Sequence, residues 1–349
     1  MLTEQAALQL IQDGLNFPPL TIRVRDDYGP TRLSGTQSPD WVVNIAWEGG
    51  GSRDFAVEYK SVSGLASVRS ALLAAKAAAY GTELLPLVMT PFLRQESLDE
   101  LLREKTSGLD LCGNGVIYAP GAWCIYRTGE KNRYPATATV ASPFRGERSI
   151  VVRALLSRRS FQKQTEIVAY LAEFGISAPT VSRVLTALEE DLLVTRKPTI
   201  QIERPDIVLD RLRESYRPAK PRSRRRIRLE LTDVVKERLD SNARDSKSWY
   251  ALSVPTKYTL LPSSSDMRRI LTADADALLR GIAFVDDDRF PTFEIEETDS
   301  RVPFFGRTFE DGLWWTSELQ EYLTLTAGGK REQEAAVALR QRVLAQRNF

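Results

Sequence analysis

The spacing of apolar residues divides the first third of the chain into helices and strands. Apolar residues at helical intervals mark helices, strict alternation marks half-buried strands, and a short unbroken apolar run marks a buried parallel strand. These patterns predict the order α-β-β-α-β-α-β, with elements at Thr3–Gly14, Trp41–Trp47, Asp54–Lys60, Ser67–Tyr80, Leu84–Met89, Ser97–Ser107 and Val116–Tyr118. The order favours a small α/β sandwich over residues 1–144.

A helical hairpin is predicted in the middle of the chain. A helix from Gln164 to Gly175 places its apolar residues on one face: Ile167, Leu171 and Phe174. Glycine at its end permits the left-handed conformation that terminates a helix. A second helix begins after Ser177 as its N-cap, with an apolar face formed by Val181, Val184, Leu185 and Leu188. Two such helices joined by a glycine turn are typical of a helix-turn-helix.

Three further segments follow the hairpin. Strand-like runs at Leu192–Thr195 and Thr199–Ile202 predict a two-stranded wing, so residues 145–216 are expected to form a winged helix-turn-helix. Residues 217–230 are rich in arginine and proline and predict a basic linker. Residues 231–349 predict an α+β domain, with strands at Tyr250–Val254, Ala283–Val285 and Thr292–Ile295 and a helix at Glu332–Arg347.

The 349 residues are more than one typical hydrophobic core needs, and 42% hydrophobic with 27% charged residues is typical of a globular chain. The chain has no histidine and two cysteines, Cys112 and Cys124. A zinc finger and histidine-dependent nucleophilic catalysis are therefore excluded. Since no apolar run is long enough for a membrane helix and the N-terminus lacks the pattern of a signal peptide, we expect a cytoplasmic protein without a membrane partner.

Positive charge is concentrated in the middle of the chain. Residues 145–230 carry 19 basic and 11 acidic side chains, whereas acidic side chains are in excess before and after them. This uneven distribution indicates a polyanionic partner for the middle segment. Side chains on the exposed face of the second helix are suited to base edges and phosphates, and the wing tip is suited to phosphates. The candidate DNA-binding residues are Thr180, Ser182, Arg183, Thr186, Arg196 and Lys197.

A second group of candidate functional residues lies in the predicted first domain, residues 1–144. Asp40 follows Pro39 at the start of one predicted strand, and Glu58 and Lys60 end the next. A hairpin would bring Asp40 beside Glu58, and two carboxylates can hold Mg²⁺ or Mn²⁺. Lys60 would then orient a water or stabilise a pentavalent phosphate. Glu4 is a further candidate for binding the metal or the water. The alternatives are a solvated salt bridge at a sheet edge and a fold that binds without catalysis.

These residues carry a resemblance to known families. The Pro39, Asp40, Glu58 and Lys60 pattern resembles the Pro-Asp…(Asp/Glu)-x-Lys motif of restriction-endonuclease-like domains. The whole chain is similar to the AbiEi family of antitoxins and transcriptional regulators, in which a nuclease-like domain, a winged helix-turn-helix and a C-terminal α/β domain follow in this order. The matching stretches are Leu109–Asn114, Thr180–Leu185, Leu319–Leu323 and Glu334–Arg340. The segment Thr326–Arg331 departs from the family pattern.

The resemblance implies a double-stranded DNA-binding transcriptional regulator, antitoxin-like, that reads DNA through its winged helix. The alternative is a Mg²⁺-dependent endonuclease that the winged helix targets to DNA, with Asp40, Glu58 and Lys60 as catalytic residues and the two carboxylates as metal ligands. A homodimer, and a protein partner held by the C-terminal domain, stay open. Trp314, Trp315 and Tyr322 are candidates for such a partner surface, although the spacing of the surrounding apolar residues favours a place in the core.

Overall fold

A computed structural model describes residues 2–15, 17–25, 38–47, 50–134, 142–253 and 268–345. Over these ranges the fold belongs to the mixed α/β class that the sequence predicts. The chain divides into two compact units. Unit 1 comprises Met1–Ala141 with Glu189–Leu192, and unit 2 comprises Ser142–Leu188 with Leu193–Phe349.

Unit 1 is built on a mixed β-sheet. Its elements are α1 (Glu4–Gln12), β1 (Leu20–Val24), β2 (Trp41–Trp47), β3 (Gly51–Tyr59), α2 (Leu65–Ala79), β4 (Leu85–Thr90), α3 (Gln95–Arg103), β5 (Ser107–Asp110), β6 (Gly115–Ala119) and β7 (Trp123–Arg127). The described strands pair with one another in sequence order. β3, β4 and β5 are parallel, and every other neighbouring pair is antiparallel.

The two faces of this sheet have separate cores. Phe55 and Val57 of β3 are buried with Ile11 of α1, whereas Ala56 is buried with Ala78 of α2. Successive strand residues point to opposite faces, so the alternation predicted for this strand is confirmed. Thr3 is the N-cap of α1, because its hydroxyl accepts a hydrogen bond from the Ala6 amide at 3.3 Å.

The predicted order of elements in this part of the chain is incomplete, because it omits β1, β5 and β7. β5 contains Gly108 and no β-branched residue, so its local propensity for a strand is low. It becomes a strand through pairing, parallel with β4 on one side and antiparallel with β6 on the other. A window of four residues carries no periodicity from which such pairing could be predicted.

The first part of unit 2 contains two helices at the positions where the sequence predicts a helix-turn-helix, and the last two residues of the second helix belong to unit 1. The elements of this part of the chain are α4 (Arg148–Ser157), β8 (Ser160–Phe161), α5 (Gln164–Tyr170), α6 (Ala178–Glu190), β9 (Val194–Thr195), β10 (Ile200–Ile202) and α7 (Pro205–Ser215). The helix predicted from Gln164 to Gly175 is interrupted, since α5 ends at Tyr170 and a 3₁₀ turn spans Ala172–Phe174. The sheet of this segment has the order β8-β10-β9 over the described residues, one strand more than the predicted wing.

The C-terminal part of unit 2 contains a second mixed sheet. Its elements are β11 (Ser223–Arg228), α8 (Asp233–Asp245), β12 (Tyr250–Ser253), β13 (Arg268–Thr272), α9 (Ala275–Leu278), β14 (Val285–Asp286), β15 (Phe293–Glu297), β16 (Thr308–Glu310), β17 (Leu313–Trp315), α10 (Glu318–Thr326) and α11 (Lys330–Ala345). The described strands have the order β14-β11-β15-β13-β12-β17-β16. The strands predicted here correspond to β12, β14 and β15, and the predicted helix to α11; Val254 and residues 346–347 lie outside the described residues.

The prediction of a basic linker over 217–230 is wrong for Ser223–Arg228, which is strand β11. Arg224 pairs with Glu296 of β15 at 3.1 Å, Arg226 with Glu294 of β15 at 3.5 Å, and Arg228 with Asp287, directly after β14, at 2.6 Å. The positive charge of the run is therefore compensated inside the sheet. The acidic partners lie more than 50 residues further along the chain. The composition of the segment by itself does not contain them, and it therefore predicted a linker.

The helix-turn-helix segment and the C-terminal helices share one hydrophobic core. Val151 of α4 and Leu185 of α6 are fully buried in the same cluster as Leu323 of α10 and Leu339 of α11. Tyr322 belongs to this core, which confirms the favoured interpretation of that residue, whereas Trp314 and Trp315 are half-buried. Residues 145–216 therefore do not have a core of their own.

One buried carboxyl, that of Glu321 on α10, should make stability depend on pH. Glu321 is fully buried, its Oε1 accepts a hydrogen bond from Thr316, and burial raises the pKa of the carboxyl above its ordinary value of 4.5. Its stabilising contribution is complete below that ordinary value and is lost as the pH rises through the higher pKa of the folded state. We expect the free energy of unfolding to decrease over this interval in urea titrations, and the decrease to be smaller in Glu321→Gln. An equal decrease in both proteins would contradict this prediction.

No helix within the described ranges combines the length and the apolar character needed to cross a membrane.

Candidate functional site

The second helix of the helix-turn-helix, α6, is set by a turn and by its apolar face. Gly175 has φ = +69°, the left-handed conformation that glycine adopts without strain. After this turn the Ser177 carbonyl accepts hydrogen bonds from the amides of Thr180 and Val181, at 3.0 and 3.1 Å. The predicted apolar face is fully buried: Val181, Val184, Leu185 and Leu188.

The opposite face of α6 carries the predicted base-reading side chains. Arg183 and Thr186 are exposed, and Thr180 and Ser182 are half-buried. The Thr180 hydroxyl lies 3.0 Å from the Ser177 hydroxyl, a contact that fixes its position at the start of the helix. A helix with one buried apolar face and a face of arginine and short hydroxyls fits the major groove of duplex DNA, where such side chains meet base edges.

One basic residue of the wing forms a hydrogen bond with α6. Lys197 at the tip between β9 and β10 is exposed, whereas Arg196 is half-buried and its Nη2 donates a hydrogen bond to the Thr186 hydroxyl at 2.7 Å. The sequence analysis predicted that Arg196 and Thr186 belong to the DNA interface, but it did not predict the hydrogen bond between them. Arg196 is therefore suited to orienting Thr186, and Lys197 is the wing residue that projects into solvent.

Two basic residues near the wing were missed by the sequence analysis. Arg159 and Lys163 flank β8 and are exposed. β8 pairs with the wing strand β10 through Ser160 and Gln201. The basic run Arg158–Lys163 was the available signal, but only the three-stranded pairing places it beside the wing.

The carboxylate–lysine constellation is brought together in unit 1. Asp40 precedes β2, and its Oδ2 accepts a hydrogen bond from the Tyr59 amide at 2.8 Å. Lys60 follows β3, and its Nζ donates to Oε1 of Glu58 at 2.7 Å. The side chain of Glu58 is 14% exposed, so the ion pair is partly shielded from solvent. The antiparallel pairing of β2 with β3 brings these residues together, as the hairpin prediction requires.

Glu4 of α1 joins this group. Its pKa is raised, first by burial and then by the negative charges of Asp40 and Glu58, whereas Lys60 and a hydrogen bond from Trp41 lower it. Glu4, Asp40 and Glu58 therefore lie within electrostatic reach of one another, with Lys60 as the neighbouring cation. We call these four residues the carboxylate site. Its charge when fully ionised is −2, which a divalent cation would compensate.

The carboxylates of this site are candidate ligands for a divalent metal ion. Among the residues that the structure describes, no group of three His, Cys, Asp or Glu side chains lies close enough together to enclose a metal ion. Mg²⁺ does not need such a cage, because it commonly binds one or two carboxylates and keeps several waters. Within the described part of the chain, Asp40 accepts a hydrogen bond through Oδ2 and Glu58 through Oε1. These two carboxylates are the residues that could hold Mg²⁺ or Mn²⁺ in such a partly hydrated mode.

Asp110, in the stretch Leu109–Asn114, holds a loop rather than adding to the carboxylate site. It is fully buried, and its Oδ1 accepts hydrogen bonds from the amides of Cys112, Gly113 and Asn114 at 2.7–2.8 Å. Its Oδ2 accepts from the Leu93 amide at 2.9 Å. A carboxylate surrounded by backbone donors satisfies groups that burial would otherwise leave without partners. This stretch therefore connects β5 with β6 and fixes the chain after β4.

Comparisons with known proteins add no relative. No family model, curated protein or solved structure matches the chain.

Proposed function

We propose that the protein binds double-stranded DNA through α6 and its wing, as an antitoxin-like transcriptional regulator of the bacterial cytoplasm. The observation that carries the proposal is the exposed face of α6, with Arg183 and Thr186 projecting from a helix whose other face is buried. A buried Arg183 would have argued against the proposal.

Electrostatics support the same surface. Lys197 at the wing and Arg159 and Lys163 beside β8 are exposed cations around the helix-turn-helix, placed to contact phosphates. The arginines of β11 do not contribute in the same way, because carboxylates in their own sheet neutralise them. The interface is therefore smaller than the charge of residues 145–230 suggested. In a homodimer, two copies of α6 would contact half-sites about one helical turn apart.

Fluorescence anisotropy with a labelled duplex, measured from 50 to 300 mM NaCl, tests the proposal. We expect log K to fall linearly with log[salt], because each phosphate contact releases counterions. Lys197→Ala should weaken binding to all duplexes alike and reduce the slope by about 1. Arg331→Ala removes an exposed charge from α11 and serves as the control, with an unchanged slope expected. Absence of duplex binding at the lowest salt concentration would refute the proposal.

A second candidate function follows from the carboxylate site. The order α1-β1-β2-β3-α2-β4, with an antiparallel β1-β2-β3 meander and β4 parallel to β3, is consistent with a restriction-endonuclease-like domain. Together with the convergence of Asp40, Glu58 and Lys60, it favours a Mg²⁺-dependent DNA endonuclease whose winged helix targets it to DNA. In this candidate the winged helix keeps the DNA-binding role of the first proposal.

The residues have distinct roles in that reaction. Asp40 and Glu58 would hold Mg²⁺ or Mn²⁺, which supplies an activated water and neutralises charge on the phosphodiester. Lys60, held by Glu58, would donate to the attacking water or to a phosphate oxygen, where it stabilises the negative charge of the transition state. Glu4, with its raised pKa, is suited to exchanging a proton with a water at the same place.

A further inference from the structure

A cavity of about 420 Å³ lies within unit 2, between α4, the end of α7 and α10. Its lining includes Ser149 and Arg153 of α4, Tyr216 directly after α7, and Gln320 of α10. The volume falls within the usual range of sites for small molecules. None of the predicted DNA-binding residues lines it.

Arg153 is a buried cation in the wall of this cavity. It is 1% exposed, and its Nη1 donates a hydrogen bond to Oε1 of Gln320 at 3.0 Å. Its Nε has no hydrogen-bond partner among the described residues. Burial lowers the pKa of Arg153 to about 10, so the group still carries its charge at neutral pH.

The described residues do not supply an anion for this charge. No carboxylate of the described chain forms an ion pair with Arg153 or lines the cavity, and the other ionisable groups in the lining are Arg145, Arg217 and the Tyr216 phenol. Gln320 is neutral, and its amide already donates to the hydroxyls of Tyr216 and Thr324, at 3.0 and 3.1 Å. A guanidinium removed from water with one neutral partner is unfavourable, because its desolvation is not offset by an opposite charge.

We propose that the cavity binds a small-molecule oxyanion, a phosphate or carboxylate group, that pairs with Arg153. The planar guanidinium presents parallel N–H donors that match the two oxygens of such a group. Arg145 and Arg217 are exposed and add positive charge at the edge of the cavity. The Tyr216 hydroxyl accepts a hydrogen bond from Gln320 at 3.0 Å, so Tyr216 holds in place the side chain that contacts Arg153.

Thermal unfolding of the full chain at pH 7, with inorganic phosphate or citrate as probe, tests this proposal. NaCl at matched ionic strength is the reference in each series. We expect the midpoint to rise with the anion beyond the NaCl reference and to follow a binding isotherm, because a ligand of the native state stabilises it by mass action. A rise with phosphate alone identifies a phosphate site, and a rise with citrate alone identifies a carboxylate site. If neither anion raises the midpoint beyond NaCl, the proposal is wrong.

Arg153→Met should abolish the anion-specific rise and should unfold at a higher temperature than the wild type in anion-free buffer, because an uncompensated buried charge is removed. Arg331→Met, which removes an exposed charge from α11, should retain the full response. Arg217→Met changes an exposed residue and is expected to fold normally while weakening the response several-fold. If Arg153→Met fails to fold, the Arg217→Met result decides. A response unchanged from the wild type in every folded cavity variant would overturn the proposal.

Discussion

Replacing Arg183 by alanine is expected to weaken binding to a preferred duplex by about 5- to 150-fold, or roughly 1–3 kcal/mol, the contribution of a bidentate contact to a guanine edge. Arg183 is exposed on α6, whereas the adjacent Val184 and Leu185 are buried and pack the helix against the core. The substitution should therefore leave the fold unchanged. The preferred duplex is first selected from a random pool with the wild-type protein. Anisotropy at fixed salt then gives both dissociation constants.

The Arg183→Lys variant separates the two ways in which arginine can contribute. Lysine keeps the charge but not the planar fork of donors, so it should retain phosphate attraction and lose base recognition. We therefore expect Arg183→Lys to prefer the selected duplex over a scrambled one by a smaller factor than the wild type does, while its affinity for the scrambled duplex stays close to that of the wild type. Should Arg183→Ala bind the preferred duplex as tightly as the wild type, the assignment of this residue to the interface is incorrect.

Replacing Lys60 by alanine is expected to reduce metal-dependent DNA cleavage by about 100- to 1000-fold, the usual loss when one donor to a developing negative charge is removed. Lys60 lies 2.7 Å from Glu58 and within electrostatic reach of Glu4, so alanine removes the cation of the carboxylate site. Supercoiled plasmid with Mn²⁺ or Mg²⁺ gives the measurement, as the rate of conversion to nicked and linear forms. Asp40→Asn should reduce the rate as well. Asparagine has nearly the same shape as aspartate but lacks the negative charge with which Asp40 would hold the metal.

Lys76→Ala is the matched control for this experiment. Lys76 lies on α2 in the same unit and forms an exposed ion pair with Glu104 at 2.8 Å. Its loss should leave cleavage unchanged. If the wild type cleaves neither plasmid nor branched DNA with either metal, the endonuclease candidate fails and the DNA-binding proposal stands by itself. If Lys60→Ala cleaves as fast as the wild type, the reaction belongs to another site or to a contaminant.

Local patterns were sufficient for the elements that have a clear periodicity. The strand-like run at Trp41–Trp47, the buried run that became β4 and the apolar face of α6 were all predicted correctly. Periodicity is informative there because each element buries one face, or both, over several residues. β5 and β8 have four and two residues and were missed, since their strand conformation comes from partners distant in sequence.

The interpretation of charge failed where composition was used without pairing. The arginine run before residue 230 led to the prediction of a basic linker and added to the positive charge attributed to a polyanionic partner. In the structure its side chains pair with Glu296 and Glu294 of β15 and with Asp287 directly after β14. The burial of Arg153 was not predictable from the sequence, because a single arginine in the apolar helix α4 cannot be distinguished by pattern from an arginine exposed to solvent. Only the packing of α4 against α10 removes it from water and leaves it facing a cavity.

The sequence alone determined the α/β class, the position of the helix-turn-helix and the identity of the residues in the carboxylate site, because these depend on periodicity and residue type within short windows. The tertiary structure decided which of those residues meet. It placed Glu4 beside Asp40 and Glu58, linked Arg196 to Thr186, neutralised the arginines of β11 and enclosed Arg153. Each of these outcomes depends on distances between segments far apart in the chain, and a one-dimensional pattern does not contain those distances.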